Sequence, residues 1–329
     1  MISLIQLGTV DYATGLRLQQ ELLALRKEEK IGDVLLLLEH KPVITLGRNA
    51  KAANVVASPE LLQKRGVELF ECDRGGDVTF HGPGQIVGYP IFDLRGFPTP
   101  DGKRKTLGVI EFVRRLEDVL MRTCADFAIA TKRVPGLTGV WTDPQSGTAH
   151  VGADAEACPE RSRKVRPVEQ RSTAAAESGT HSADKRDREG HDFSRANNAS
   201  NNEAALAAEG RSPSHAREAK LAAIGVHISR SVTSHGFALN VNTDLSYFDL
   251  IIPCGITSKP VTSMQQQLKH ELDLNAVAES ISRNFGVVFQ SQILWVDSLD
   301  ALLGHTVGVP MKPPTELRQI HKGDDTTWA

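Results

Sequence analysis

Cysteine is scarce in this sequence, and its few positions form no metal-binding or paired pattern. The four cysteines among 329 residues are Cys72, Cys124, Cys158 and Cys254, all far apart. Structural metal sites and disulfide frameworks need cysteines at short, recurring spacings. The sequence therefore predicts neither a bound metal nor a disulfide framework, and it favours a reduced, cytoplasmic protein.

Long hydrophobic runs and an excess of charge of one sign are also missing. The longest apolar stretch, Val34–Leu38, is far too short to span a bilayer. No basic start followed by an apolar run marks a secretory signal. The formal net charge is only −2, so no strong basic field points to nucleic acid or to an anionic membrane surface. We therefore expect a protein that binds neither.

Two common nucleotide-binding motifs are absent as well. The sequence contains no G-x-x-x-x-G-K-[ST] phosphate loop and no G-x-G-x-x-G dinucleotide fingerprint. These absences predict no nucleotide cofactor.

The most informative feature that is present is the run Arg74–Gln85. Its sequence is RGGDVTFHGPGQ, in which five residues are glycine or proline. Glycine lets a backbone approach a ligand closely, and proline restricts a turn. So few side chains remain to be buried that we do not expect an ordinary core element here. The remaining arginine, histidine and glutamine are types that orient a substrate, with a surface turn between two strands as the alternative.

Hydrophobic periodicity predicts a mixed α/β fold. Helical spacing occurs at 11–29, 60–65, 107–127 and 274–285, and strand-like segments at 34–38, 43–46, 67–70, 86–94, 129–132, 138–142, 220–228 and 236–241. Within the third helix, Ile110, Val113, Leu116 and Leu120 recur at spacings of three and four, and Cys124 follows on the same face. Because strands and helices alternate irregularly, we expect the α/β (α+β) class with a mixed central sheet flanked by helices.

The segment 144–219 has a different composition from the rest. It contains one phenylalanine, one leucine and no isoleucine. So little apolar surface cannot offset the entropy lost on ordering, so we predict a low-complexity, disordered insertion. A single catalytic domain would then comprise 1–143 and 220–311, with a C-terminal tail at 312–329.

Two separated residues are candidates for a nucleophile and its partner. Cys254 lies between Pro253 and Gly255, which restrain the turn and leave backbone N–H groups open to a substrate oxygen. A thiolate is a strong nucleophile whose thioesters pass acyl groups onward, although a lone cysteine is more commonly a small buried hydrophobe. If Lys220 lies beside Cys254, its ammonium would favour the thiolate. Sequence spacing alone is equally consistent with a solvent-exposed lysine at the end of a strand.

These features resemble a known family. The run Arg74–Gln85 is similar to RGG-x-x-T-[aromatic]-HGPGQ, the signature of lipoyl(octanoyl) transferases, which move an octanoyl group from acyl carrier protein to a lipoyl domain. Further matching segments follow in the family's order: Gly139–Trp141, Lys220–Val226, His235–Asn240, Pro253–Ile256 and Val261–Met264. The resemblance covers residues 1–143 and 220–290.

The resemblance implies roles for individual residues. Cys254 matches the family's acyl-accepting cysteine, and Lys220 matches its lysine partner, which favours the thiolate and transfers protons. The implied acyl-binding residues are Arg74, Gly75, Gly76, Asp77, Val78, Thr79, Phe80, His81, Ala223, Ile224, Gly225, Gly236, Phe237 and Ala238. The small residues among them suit a narrow tunnel for a medium-length alkyl chain. The family uses no metal and no cofactor.

The resemblance also implies the fold and the partners. The family has the mixed α/β module shared with biotin and lipoate protein ligases, and its members are usually monomeric. The octanoyl donor would be octanoyl-acyl carrier protein. The acceptors would be lipoyl domains of 2-oxoacid dehydrogenases and the glycine cleavage H protein. Cys254 would carry the octanoyl group between them as a thioester, in the first step of endogenous lipoate biosynthesis.

Other roles stay open on the sequence alone. An ATP-dependent lipoate or biotin protein ligase on the same fold would form an acyl-adenylate and would not need Cys254. A cysteine hydrolase would use His81 as the base for Cys254, although the resemblance favours a positioning role for His81. A non-catalytic acyl-binding protein would bind the donor and turn nothing over. Arg74 and Gln85 are expected to fix the loop or contact the acyl-carrying arm, with an ion pair to Asp73 as the alternative for Arg74.

Overall fold

In the computed structural model of this protein, strands and helices alternate along the residues that the structure describes, which are 1–99, 102, 104–144, 218–297 and 299–303. The strands are β1 (Ile2–Val10), β2 (Asp33–His40), β3 (Val43–Leu46), β4 (Glu68–Glu71), β5 (Val78–His81), β6 (Gln85–Ile91), β7 (Thr131–Val134), β8 (Leu137–Thr142), β9 (Lys220–Ser229), β10 (Val232–Asn240) and β11 (Ile293–Trp295). The helices are α1 (Tyr12–Lys27), α2 (Pro59–Lys64), α3 (Val109–Asp126), α4 (Met264–Leu268), α5 (Leu274–Phe289) and α6 (Asp300–Leu303).

The strands form a large mixed sheet and a small one. The large sheet has the strand order β11-β1-β2-β6-β10-β9-β8-β7, and the small sheet has the order β4-β3-β5. Strand β1 runs parallel to β2 and β11, whereas the other neighbouring pairs of the large sheet are antiparallel. Helices α3 and α5 cover one face of the large sheet, and α1 covers the other. The predicted fold class is therefore confirmed.

Strand β2 accounts for the longest apolar run of the sequence. Leu35 and Leu37 belong to the core beneath α3 and α5, whereas Val34, Leu36 and Leu38 belong to the core beneath α1. Successive strand residues face opposite sides of a sheet, and all of these side chains are buried. A strand that is covered on both faces is therefore apolar throughout and does not alternate with polar residues.

Helix α3 follows the predicted apolar stripe except at its start. Leu116, Leu120 and Cys124 are fully buried, as predicted. Ile110 is instead 74% exposed, and Phe112 is the buried residue of the first turns. The prediction for Ile110 was wrong because spacing identifies a stripe but does not show where along its length the helix first meets the core.

Strand β5 is the main departure from the sequence-based expectation. The run Arg74–Gln85 was not expected to contain an ordinary core element, yet Val78–His81 forms a strand whose residues are all buried. It pairs antiparallel with β3. Val78 and Phe80 pack into a third core cluster with Phe248. Two apolar side chains are enough to bury one face of this strand, because only alternate residues of a strand face the same core.

The predicted insertion 144–219 lies outside the described residues except at 144, 218 and 219, and the predicted tail 312–329 lies entirely outside them. The division of the chain into 1–143 and 220–311 therefore stays a prediction. No helix in the described ranges combines the length and apolar character that crossing a membrane requires.

One histidine is fully buried in the core beneath α1. His40 Nδ1 lies 2.9 Å from the backbone oxygen of Val10, and Nε2 lies 2.6 Å from the hydroxyl oxygen of Tyr89. Burial lowers the pKa of His40 to about 4, so its ring is neutral near neutral pH. Because a carbonyl oxygen can only accept, Nδ1 carries the proton and donates to Val10, while Nε2 accepts from Tyr89.

The stability of the fold should therefore depend on the ionisation of His40. The unfolded chain binds this proton below a pKa of about 6.5, whereas the folded protein binds it only below about 4. The unfolded state holds more protons between these values. The free energy of unfolding should thus fall as the pH drops through this window, by at most about 3 kcal/mol for this residue. Urea unfolding at several pH values checks this, and His40→Gln should reduce the dependence by the part that His40 contributes.

A matched control is available for this measurement. His270 is exposed, so His270→Gln should keep the pH dependence of the unmodified protein. If His40→Gln loses as much stability toward acid as the unmodified protein does, another group causes the loss.

Candidate active site

The structure brings Lys220 and Cys254 into direct contact. Lys220 Nζ lies 3.1 Å from Cys254 Sγ, although the residues are 34 positions apart in the chain. Lys220 is the first residue of β9, and Cys254 lies in a short 3-10 turn, Pro253–Gly255. A sulfur and an ammonium at this separation form a charge-assisted pair when the sulfur is ionised. A pair in this arrangement can serve as a nucleophile with a proton-transfer partner.

The position of Lys220 is determined by its backbone and by an aromatic ring. Its N–H donates to the oxygen of Pro260 at 2.8 Å, and its own oxygen accepts from the N–H of Thr262 at 2.9 Å. Its Nζ lies 5.2 Å from the ring centroid of Trp141, within cation–π range. Gly139 leaves space for the side chain, since a Cβ there would lie 3.0 Å from Lys220 Cε. Within the described ranges, no carboxylate pairs with Lys220, which is 8% exposed, so its charge is directed at the sulfur.

The backbone of Cys254 has an unusual conformation. Its φ and ψ are 55° and 20°, in the left-handed region that non-glycine residues rarely adopt, and Gly255 follows with φ 66°. Such strain persists only where the surroundings impose it. Here the N–H of Ile252 donates to the oxygen of Asn54 at 2.7 Å, and the Asn54 amide donates to Asp77 Oδ2 at 2.5 Å. A Cβ on Gly255 would lie 2.9 Å from that same oxygen, so the turn fits closely only with glycine.

An ion-pair cluster holds the two ends of the predicted insertion next to each other. Lys132 Nζ lies 3.3 Å from Asp143 Oδ1 and 2.7 Å from Glu218 Oε1. Lys259 binds the second oxygen of Glu218. The hydrogen bond from Lys132 is the main cause that lowers the pKa of Glu218 to about 2. Glu218 lies only two positions from Lys220 in the sequence. Because Glu218 binds two other lysines, it does not compete with Cys254 for Lys220.

A cavity of about 580 Å³ extends from this pair. Its walls include all the predicted acyl-binding residues except two: Arg74, Gly75, Gly76, Asp77, Thr79, His81, Ala223, Ile224, Gly225, Gly236, Phe237 and Ala238. Val78 and Phe80 are the exceptions, because alternate side chains of β5 point away from the cavity. Phe80 stacks on Tyr247 at a centroid distance of 4.7 Å. We therefore leave Val78 and Phe80 out of the candidate binding set.

Arg74 binds strand β3 and its own loop rather than a carboxylate. Its guanidinium donates to Thr45 Oγ1 at 2.9 Å, to the Thr45 oxygen at 2.8 Å and to the Asp77 oxygen at 2.7 Å. Asp73 accepts instead from His235 Nε2 at 2.7 Å. The alternative ion pair between Arg74 and Asp73 is therefore not formed, and Arg74 fixes the wall of the cavity.

His81 is likewise held by its neighbours and is not hydrogen-bonded to Cys254. Its Nδ1 lies 2.8 Å from Gln85 Oε1, and the Gln85 amide donates to Asn240 Oδ1 at 2.8 Å. Burial lowers the pKa of His81 to about 3, so its ring is neutral near neutral pH. No hydrogen bond joins His81 to Cys254 among the described residues. The geometry favours a positioning role over that of a general base.

Some cavity residues carried no signal in the sequence. Tyr12, Val87 and Tyr89 also line the cavity, and Asn54 supports the turn of Cys254 from behind. Val87 and Tyr89 are two positions apart in an apolar strand, so the sequence places them on one face. It does not indicate that this face meets the candidate site.

Comparisons with known proteins identify the family of this chain. The family model described as "Lipoyl protein ligase A/B catalytic domain" matches residues 11–286. A protein named octanoyltransferase from Koribacter versatilis is 47% identical over 326 residues, which cover 98% of both chains. An octanoyltransferase from Acidobacterium capsulatum is 44% identical over 305 residues, which cover 92% of this chain and 96% of that protein.

The fold is also similar to a solved structure. A bi-partite lipoate protein ligase from Thermoplasma acidophilum superposes with a TM-score of 0.52 over 90% of this chain and 85% of that one, at 11% identity. At such low identity the likeness concerns the fold alone. The family match and the two octanoyltransferases show the family as well as the fold. The chain belongs to the family of lipoyl protein ligase A/B catalytic domains.

Proposed function

We propose that this chain is an octanoyltransferase that moves an octanoyl group from a carrier-protein thioester to a lysine of a lipoyl domain. The observation that carries the proposal is the 3.1 Å contact between Lys220 Nζ and Cys254 Sγ at the cavity. The family and the names of the close relatives support octanoyl transfer as the reaction. A buried cation directed at a cysteine supports a thioester acyl-enzyme as its route.

In the first half-reaction, the Cys254 thiolate attacks the carbonyl carbon of the donor thioester. A bond forms between Cys254 Sγ and that carbon, and the bond from the carbon to the donor sulfur breaks. Lys220 gives a proton to the departing thiolate, which leaves as the thiol in a general-acid step. The octanoyl group is then held on Cys254, and its alkyl chain is buried in the cavity away from water.

In the second half-reaction, the amine of the acceptor lysine attacks the same carbonyl carbon. A carbon–nitrogen bond forms, and the bond to Cys254 Sγ breaks. The now neutral Lys220 takes the proton that the attacking amine loses, so both residues return to their starting states. The product is an octanoyl amide, and no oxidant, reductant or nucleotide is consumed.

The nearest alternative is an ATP-dependent ligase, because the same fold supports both reactions. A ligase would activate a free acid as an adenylate and would have no need for a lysine directed at a cysteine. The contact between Lys220 and Cys254 favours the transferase. The same contact favours catalysis over a role limited to acyl binding. A strained cysteine backbone beside a buried ammonium costs free energy, and a protein that only binds the acyl chain gains nothing from it.

The proposal is tested by supplying the protein with octanoyl-acyl carrier protein in the absence of ATP. We expect the intact mass of the protein to increase by one octanoyl group. Addition of an apo lipoyl domain should then remove the adduct and acylate the domain. A protein that remains unmodified, yet acylates the domain from free octanoate once ATP is added, would be a ligase.

The remaining expectations concern the setting of this reaction. We propose a cytoplasmic location because the described cysteines, Cys72, Cys124 and Cys254, are all free thiols. The monomeric state and the identity of the acceptors, among lipoyl domains of 2-oxoacid dehydrogenases and the glycine cleavage H protein, stay predictions.

A further inference from the structure

The floor of the cavity is a regular pattern of side chains across three strands. Ala223 on β9 pairs with Ala238 on β10, and Ala238 pairs with Val87 on β6. Residues paired across antiparallel strands project from the same face. These three side chains therefore form one row at right angles to the strands, in the order alanine, alanine, valine.

A second row lies beside the first one. Gly225 on β9 pairs with Gly236 on β10. The next residue, Phe237, pairs with Gly88 on β6, so the antiparallel register puts Tyr89 opposite Gly236. A Cβ on Gly236 would lie 2.1 Å from the oxygen of Gly88, so the two strands approach closely there. This row therefore has the order glycine, glycine, tyrosine. Both rows begin with small residues and end at β6 with larger ones.

The proposed nucleophile lies beside the alanines of the first row. Cys254 and Lys220 border a common space with Ala223 and Ala238. An alkyl chain bound to Cys254 would start over the small residues of β9 and β10, and the cavity continues to Val87 and Tyr89 on β6, which lies one strand spacing, about 5 Å, from β10. The floor there rises from alanine and glycine to valine and tyrosine.

A hydrogen bond and close packing hold Tyr89 in place at the end of the cavity. Its hydroxyl donates to His40 Nε2 at 2.6 Å, and His40 is itself anchored to Val10. Tyr12 packs against the His40 ring at a centroid distance of 5.2 Å and also lines the cavity. Val87, Tyr89 and Tyr12 are all nearly fully buried, so this end is closed to solvent.

We propose that Val87 and Tyr89, with Tyr89 held by His40, are the residues that limit the length of the acyl chain. This inference rests on the proposed function, because it assumes that an alkyl chain occupies the cavity. It adds the determinant of substrate choice. The alkyl chain ends where the larger side chains of β6 fill the cavity. A longer alkyl chain would have to displace a buried valine or a hydrogen-bonded tyrosine.

The test exchanges volume at the two ends of the first row. Val87→Ala removes two carbon atoms at the closed end, so the rate of adduct formation with a decanoyl donor, relative to the octanoyl donor, should rise about tenfold or more. Ala238→Val adds two carbon atoms halfway along the row, so the hexanoyl donor should gain over the octanoyl donor by a similar factor. Intact mass after competition between paired donors gives both ratios.

Val34→Ala is the matched control. Val34 is a fully buried valine of β2 in the same core cluster as Val87, but it does not line the cavity. It should cost similar stability, measured by thermal unfolding, and leave all donor ratios unchanged. The same ratios in Val87→Ala, Ala238→Val and the unmodified protein would overturn the length assignment. If the unmodified protein forms no adduct with any donor, the proposed function fails instead.

Discussion

Replacement of Cys254 by serine should abolish the stable octanoyl adduct and lower the rate of octanoyl transfer by about 10⁴-fold or more, as removal of an enzymatic nucleophile does. A hydroxyl is far harder to ionise than a thiol, and the ammonium of Lys220 at 3.1 Å cannot by itself make serine a comparable nucleophile. Intact mass after donor treatment and single-turnover transfer to a lipoyl domain measure the two effects.

A second thiol serves as the control for this variant. Cys72 is also partly exposed, but its Sγ donates to the oxygen of Leu46 at 3.4 Å and is not placed beside a lysine. Cys72→Ser should form the adduct at the normal rate. An adduct that persists in Cys254→Ser and disappears in Cys72→Ser would move the chemistry to the other thiol.

Lys220→Met is expected to lower transfer by about 10²–10⁴-fold, the range of a positioned acid–base group. Methionine retains most of the apolar stem of lysine, so packing against Trp141 should survive while the charge and the proton are lost. Alkylation of Cys254 by iodoacetamide at fixed pH should also slow, because the sulfur loses the cation that lies 3.1 Å away. Both rates are followed by intact mass.

Lys259→Met is the control for Lys220→Met. Lys259 Nζ lies 5.8 Å from the same tryptophan ring, but it binds Glu218 and not the sulfur. We expect Lys259→Met to react with iodoacetamide and with the donor within a few-fold of the unmodified protein. Equal losses in the two variants would mean that the positive charge around Trp141 matters only collectively, and the specific pairing of Lys220 with Cys254 would be wrong.

The effect of the predicted insertion on this pair can be understood from its described ends. Asp143 and Glu218 are bound to the same lysine, Lys132, so the chain leaves and re-enters the sheet at one place. The backbone of Lys220, the first residue of β9, is then fixed by hydrogen bonds to Pro260 and Thr262. The geometry of Lys220 is in this way set by the sheet and not by the segment that precedes it in sequence.

The sequence by itself determined much of the local structure, and it predicted the chemistry of the site. Apolar spacing was sufficient for α3 and β2, because burial imposes a period on the residues of a helix or strand. The motifs that contain Lys220 and Cys254 indicated the chemistry, because a nucleophile and its proton-transfer partner require particular side chains. The spacing of Ile110 gave a wrong prediction of its burial, and the composition around Val78 gave a wrong prediction that no core strand forms there. Neither spacing nor composition shows where an element packs against the core.

Only the tertiary structure decided which residues meet. The contact between Lys220 and Cys254, 34 positions apart, depends on how β9 is anchored and on how Asn54 and Asp77 hold a strained turn. The pattern that we propose limits the acyl chain draws its side chains from β9, β10 and β6, which are neighbours only through strand pairing. Register across a sheet is set by long-range hydrogen bonds and core packing, and a linear sequence does not record which strands pair.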